Sequence, residues 1–234
     1  GSDIVVLKLN SSGTLLWHTF HGSGSNDIGQ GIAVDKDGNV YVTGTSYAWG
    51  TPINPHSGSG RDMVVLKLNS SGTLLWHTFH GSNGDDRGFG IAVDKDGNVY
   101  VSGFGTAAWG TPINSYSGNY DIVVLKLGSS GTLQWHTFHG SGGFDEGSGI
   151  AVDKDGNVYI TGTSYATWGS PINPHSGYED IVVLKLNSSG TRLWHTFHGS
   201  NGYDYGYGIA VDKDGNVYVT GYSYDTWGTP INPY

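Results

Sequence analysis

The chain has no cysteine, a single methionine and only 7 prolines in 234 residues. Without thiols there are no disulfide staples and no thiolate metal sites, although the compartment stays undetermined. Charge is scarce as well, with Asp, Glu, Lys and Arg together making up 13 %. The 11 basic residues are spread one or two at a time against 20 acidic ones, for a formal charge of −9 and a pI near 5.4. A surface of that sign, with no basic cluster, argues against nucleic acid and against anionic membrane surfaces. Long apolar runs are missing too, and stretches such as Ile-Val-Val-Leu are far too short for membrane insertion. No signal peptide is recognised. With Met63 the sole methionine, the chain is read as processed or as an expressed piece. No segment keeps a 3.6-residue apolar period, so no helix is expected.

Glycine, by contrast, is abundant at 40 residues, and aromatics reach 13 %. A chain this aromatic and this weakly charged folds rather than stays disordered. Many short strands joined by glycine turns account for both numbers.

Self-comparison is the informative step. The fourteen residues 31–44, Gly-Ile-Ala-Val-Asp-Lys-Asp-Gly-Asn-Val-Tyr-Val-Thr-Gly, return at 90–103, 149–162 and 208–221, changed only at Ser102 and Ile160. Asp3, Asp62, Asp121 and Asp180 each open a copy. One domain over 1–234 therefore divides into repeats 3–61, 62–120, 121–179 and 180–234. Each copy reads as four strands. Asp-Ile-Val-Val-Leu-Lys-Leu is extended and rich in β-branched residues. A Ser-Ser-Gly turn leads into Leu-Leu-Trp-His-Thr-Phe-His. A Gly-rich connector follows, and then the Ile-Ala-Val and Val-Tyr-Val strands joined by Lys-Asp-Gly-Asn.

Side-chain size is graded along each copy, from Gly, Ile, Ala and Val to Leu, Trp and Phe. Blades that converge on an axis need small inner and bulky outer strands. The fold expected is therefore all-β: a β-propeller of four-stranded antiparallel blades, with Gly-Ile-Ala-Val innermost and the Trp strand outermost. The repeat string resembles the bacterial SBBP beta-propeller repeat, in Asp3–Gly44 and its three echoes. That resemblance implies a propeller common in secreted or surface-exposed bacterial proteins, hence an extracellular or cell-surface location, and brings no shared catalytic residues. The quinone-type propeller repeat is a weaker likeness, through Ser-Ser-Gly-Thr-Leu-Leu-Trp.

The chain begins on a third strand and ends after a second one. The ring is expected to be closed by pairing the first and last repeats, Asp3–Asn10 against Asn216–Tyr222, which removes exposed sheet edges. Four blades in one ring require 90° each and eight require 45°. An eight-bladed homodimer is therefore the preferred version of that closure over a four-bladed monomer.

Candidate sites come with competing readings. Asp35, Asp37 and Asn39 could offer calcium oxygens, but no bidentate acid follows them, so a hairpin loop is the plainer reading. The His18/His21 pair and its echoes lie three apart on a strand and face opposite sides, which is poor geometry for one metal. No metal and no cofactor is expected. Asp27, Asp86, Asp145 and Asp204 sit in the Gly-rich connectors, either as a carboxylate ring near a channel or as fixings for the turn. The strongest binding candidates are the aromatics of the long segment after each Val-Thr-Gly: Tyr47, Trp49, Trp109, Tyr165, Trp168, Tyr224 and Trp227. Exposed, they suit sugar-ring stacking or protein contact; folded back, they cover their blades. No Ser/His/Asp order and no phosphate loop stands out. The chain is read as a non-enzymatic scaffold or binding module that meets a glycan or protein through the rim where the connectors differ between copies. A purely structural repeat, natural or engineered, is the alternative, and a hydrolase or quinone enzyme is a distant third.

Overall fold

The computed structural model describes residues 1–232 and contains sixteen strands. The first repeat supplies β1 (Ile4–Leu9), β2 (Leu15–His21), β3 (Ile28–Val34) and β4 (Val40–Ser46). The second supplies β5 (Asp62–Leu68), β6 (Leu74–His80), β7 (Arg87–Val93) and β8 (Val99–Gly105). The third gives β9 (Asp121–Leu127), β10 (Leu133–His139), β11 (Asp145–Val152) and β12 (Val158–Ser164). The fourth gives β13 (Asp180–Leu186), β14 (Arg192–His198), β15 (Asp204–Val211) and β16 (Val217–Ser223).

Three complete antiparallel blades form, in the orders β3-β4-β5-β6, β7-β8-β9-β10 and β11-β12-β13-β14. Each straddles two sequence repeats. The turns are those expected. Asp35 Oδ1 accepts from the amides of Asp37 and Asn39, both at 2.9 Å, while Gly38 takes φ 80°. Only a residue without Cβ adopts that left-handed conformation freely.

The size gradient has a direct physical counterpart. A Cβ built on Gly31 of β3 would lie 2.5 Å from the Phe89 carbonyl oxygen of β7, and one on Gly149 of β11 would lie 2.6 Å from that of Tyr207 in β15. Neighbouring sheets touch backbone to backbone along these strands. Between the middle and outer strands, bulky apolar layers fill the space instead. Ile4 and Val6 meet Val64, Leu66, Leu68 and Phe79. Met63 and Val65 meet Val123, Leu125, Leu127 and Phe138. Ile122 and Val124 meet Val182, Leu184, Leu186 and Phe197. Each fully buried side chain of this kind stabilises the stack by roughly 1.5–3 kcal/mol.

The expected closure does not occur. β1-β2 and β15-β16 remain separate two-stranded sheets, and the first and last repeats do not pair within the chain. The architecture is an open row of three blades flanked by two half-blades. Glycine on the inner strands against Leu, Trp and Phe further out tapers each blade, but the taper of four repeats does not bring the last sheet round to the first.

Candidate binding rim

The loops leaving β2, β6, β10 and β14, together with the long segments after β4, β8, β12 and β16, form one rim. Its foundation is a buried carboxylate in each connector. Asp27 Oδ2 accepts from the Ser23 amide at 2.5 Å and from its hydroxyl at 2.8 Å. Asp86, Asp145 and Asp204 repeat the arrangement with Ser82, Ser141 and Ser200. All four lie buried at the entry to an inner strand, where they fix the turn. Burial raises the Asp86 carboxyl to about 6, because desolvation disfavours the charged form.

The tryptophans build on that foundation. Ser46 Oγ donates to Asp27 Oδ1 at 2.5 Å and accepts from Trp49 Nε1 at 2.8 Å. Trp49 then lies flat on His77, with 3.9 Å between ring centroids and 3° between planes. Trp168 repeats this through Ser164 and Asp145, and stacks on His195 at 4.1 Å. Trp109 stacks on His136 at 3.7 Å. There Gly105 stands where Ser46 and Ser164 stand, so Asp86 Oδ1 and Trp109 Nε1 lack a side-chain partner. The faces of these three rings are turned to the blade rather than to solvent. Trp227 is the outward one, resting on His198 at 5.9 Å. Tyr47 leans on His56 at 6.2 Å, while Tyr165 and Tyr224 project outward.

Those two tyrosines belong to an aromatic belt. One arm runs from Phe104 to Tyr120 (4.5 Å, stacked), on to Phe144 (4.8 Å) and then to Tyr165 (5.3 Å). The other runs from Tyr178 to Tyr203 (5.4 Å, stacked), to Tyr224 (5.9 Å) and to Tyr222 (5.6 Å), against which Tyr205 and Tyr207 lie. Glu179 lies beside both Tyr165 and Tyr205 and joins the arms; desolvation, and then the neighbouring Glu179 carboxylate, push the Tyr165 hydroxyl up to about 12. Glu146 lies nearby, and desolvation raises its carboxyl. Phe144, Tyr178, Tyr203, Tyr207 and Tyr222 are exposed alongside Tyr165 and Tyr224.

Sequence reasoning pointed to the variable connectors and nominated Tyr165 and Tyr224 beside them, but named no other residue of the belt. The signal lay in the connectors. Where the strands repeat, the side chains at one contact between connector and preceding loop change in every copy: the Ser2 amide donates to Asn26, the Arg61 guanidinium pairs with Asp85 at 2.7 Å, Tyr120 packs on Phe144, and Glu179 stands opposite Tyr203 in the same backbone bridge that Tyr120 makes with Phe144. The opposite rim is uniform. Its Asp-Lys-Asp-Gly-Asn turns flank three open grooves of about 380–490 Å³. The Asp35 carboxylate there is already engaged by two amides, the Asn39 side chain and the Tyr41 hydroxyl. Among the described residues, no group of three or more His, Cys, Asp or Glu is placed to hold a metal.

Stacked four-stranded blades, near-identical inside and varied at one rim, define an all-β repeat module of the propeller type, the architecture of a structural or binding scaffold. The chain belongs to the SBBP beta-propeller repeat family, whose pattern matches residues 17–48, 76–106, 134–167 and 193–226. It is also similar to an uncharacterized WD repeat-containing protein, L264, of Acanthamoeba polyphaga mimivirus, 23 % identical over 92 % of this chain and 19 % of that one. The regulatory protein FlaEY of Caulobacter vibrioides is 31 % identical over 57 % of this chain and 15 % of its own length. The chain thus spans less than a fifth of either curated relative. A crystal structure of a protein of unknown function from Bacteroides caccae matches in fold, with a TM-score of 0.50 at 13 % identity, over 89 % of this chain and 57 % of that one.

Proposed function

We propose that the chain is a binding module that takes glycans on its connector rim, displayed on the outside of a bacterial cell. The observation that carries this reading is the belt itself. A run of exposed tyrosines and Phe144 is concentrated in the last two repeats and threaded by Glu146 and Glu179. Soluble domains seldom leave so many contiguous aromatic faces in water without use. Aromatic faces receive the C–H face of a sugar ring, and the exposed phenol hydroxyls exchange hydrogen bonds with its hydroxyls, while Glu179 is buried beneath them. Tyr165, Tyr203 and Tyr224 are the proposed contacts. Tyr47, Trp49, Trp109, Trp168 and the four connector aspartates support the rim from beneath, and Trp227 extends it.

The test is a glycan array followed by calorimetry on the strongest hit. The Tyr203→Ala/Tyr224→Ala variant is expected to lose binding while keeping its melting temperature. Glycan binding that survives this variant, or a blank array, refutes the glycan reading. In the second case a protein ligand on the same belt is the remaining reading, since tyrosine clusters also serve protein contacts.

A further inference from the structure

The tryptophan clefts between neighbouring blades are alike in their walls and differ in what fills them. Between the second and third repeats a cleft of about 420 Å³ runs from His80 and Gly81 to Trp109 and Gly110, with Ile53 and Leu133 at its sides. One repeat further on, His139, Gly140, Trp168 and Gly169 stand in the same places. The ring centroids of His80 and Trp109 are 6.0 Å apart, and so are those of His139 and Trp168. The rest of the lining repeats as well. A Cβ built on Gly131 would meet Ile53 at 2.6 Å and the Trp76 ring at 2.9 Å, and one on Gly190 would meet Ile113 at 2.5 Å and the Trp135 ring at 2.9 Å.

One residue makes the difference. Leu133 in the first cleft is replaced by Arg192 in the second. Arg192 brings its guanidinium carbon over the Trp168 ring, 5.2 Å from the centroid. Its terminal nitrogens lie 2.9 and 3.3 Å from a Cβ built on Gly169, whereas the three atoms nearest to one on Gly110 all belong to His136. The charge is felt at the far wall too, where it adds to burial in lowering His139 to about 3. Under this cover Trp168 is 7 % exposed and belongs to a buried cluster, while Trp109 is only partly buried. A flat cation on an indole shielded from water is among the stronger cation–π arrangements. The molecule thus carries its own guanidinium in one cleft and leaves the preceding cleft open.

We propose that the open cleft takes the guanidinium of an arginine side chain presented by a partner peptide, with Trp109 as its platform and His80 as the far wall. Among the described residues no lysine or arginine lines this cleft. Burial lowers His80 to about 4, so the wall carries no positive charge at neutral pH. Two carboxylates stand directly behind it, with Asp62 Oδ1 and Asp86 Oδ2 at 2.6 and 2.8 Å from the Cβ position of Gly81. The formal charge of −9 favours the approach of a basic peptide. Arginine is expected over lysine, because a planar guanidinium stacks on an indole and is more weakly hydrated than an ammonium. The inference does not rest on glycan binding, and the tyrosine belt takes no part in it.

The measurement is a titration followed through the indole N–H signals in proton–nitrogen NMR, with those of Trp109 and Trp168 identified by Trp109→Phe and Trp168→Phe. The probe is N-acetyl-arginine amide, compared with free arginine, N-acetyl-lysine amide and glucose. The Trp109 signal is expected to move saturably with the capped arginine, in the millimolar range proper to a single side chain, and to bind the capped lysine about tenfold more weakly. Free arginine is expected to bind no better than the capped form. Leu133→Arg fills the cleft from within, as Arg192 does one repeat on, so it is expected to keep its far-UV circular dichroism and lose the shift. Arg192→Leu opens the second cleft, and the Trp168 signal is then expected to move as well. A Trp109 signal that stays still, that moves as readily with lysine or glucose or more readily with free arginine, or that still titrates in Leu133→Arg overturns the proposal. So does a Trp168 signal in Arg192→Leu that ignores the probe.

Discussion

Gly105 is a natural deletion within the molecule, and reversing it gives a quantitative test. In the first and third repeats a serine hydroxyl links the connector carboxylate to the tryptophan indole; in the second, Gly105 supplies no hydroxyl, and Asp86 Oδ1 and Trp109 Nε1 have no hydrogen-bond partner. Gly105→Ser restores a hydroxyl–carboxylate bond of about 1.5–3 kcal/mol and an indole–hydroxyl bond of about 0.5–1.5 kcal/mol. Against that, a Cβ on Gly105 would lie 2.7 Å from Asp86 Oδ1, 3.0 Å from Val123 Cγ2 and 3.1 Å from Phe138 Cε1. Crowding of this sort costs about 1–3 kcal/mol. The equivalents Val64 and Phe79 already accommodate Ser46, so the lower half of that range applies. Net stabilisation of about 1–2 kcal/mol is expected, raising Tm by about 3–6 °C for a chain of this length. Differential scanning calorimetry reads it directly. The Asp86 carboxyl, raised to about 6, is expected to titrate lower once the hydroxyl donates to it. An unchanged or lowered Tm, in a variant whose crystal structure shows the hydroxyl bonded to both partners, would refute the account of what holds the loop down.

Three further outcomes are expected. Ser164→Gly strands Asp145 and Trp168 in the same way and lowers stability by about 2–4 kcal/mol, measured by urea unfolding; a loss under half a kcal/mol contradicts the relay. Asp35→Ala removes four hydrogen bonds from an exposed turn and lowers Tm by a few degrees. Millimolar calcium leaves the wild-type Tm unmoved, whereas a calcium-induced rise assigns the turn to an ion after all. Burial lowers His80 to about 4 and His139 to about 3, so between pH 6.5 and 4 the unfolded chain binds protons that the folded one refuses. Stability falls as pH drops, by about 2 kcal/mol per histidine from pH 7 to 5. Asp86 and Asp121, both raised to about 6, act in the opposite sense, because the folded state binds their protons first. The His80→Gln/His139→Gln variant is therefore expected to flatten or reverse the dependence of Tm on pH; an unaltered slope contradicts the assignment.

Strand order, turn positions and the size gradient were legible in the sequence because each depends on a few residues and their spacing. Gly31, Gly38 and the Val-Tyr-Val run each have one local job. Closure was not legible, since it depends on the angle summed over successive sheets, to which every packed side chain contributes a little. The tryptophans show a second limit. Their number and loop position left two readings, an exposed binding surface or a cover folded back on the blade, and the direction of each ring is set by its partners, the nearby Ser46 and the distant His77 for Trp49. The belt was present in the connector letters but required the fold to place Tyr165, Tyr203 and Tyr224 side by side.

The repeated fourteen residues and the variable connectors are two sides of one constraint. A blade whose backbone touches the next at Gly31, Gly90 and Gly149 tolerates almost no change at those glycines, because any Cβ there separates the sheets. The same blade holds its connector through a buried aspartate and serine that use only backbone and hydroxyl contacts. The residues on either side of that aspartate are then free to vary. Asn26 and Ile28, Asp85 and Arg87, Phe144 and Glu146, Tyr203 and Tyr205 flank four equivalent carboxylates without altering the hydrogen bonds that their serines donate to them. The rim can therefore change its chemistry from polar to charged to aromatic while the stack beneath it stays fixed. That separation is what a repeat needs to serve as a scaffold, and it is why the symmetry breaks at the connectors and the strand starts beside them while the Gly-Ile-Ala-Val part of each inner strand stays alike.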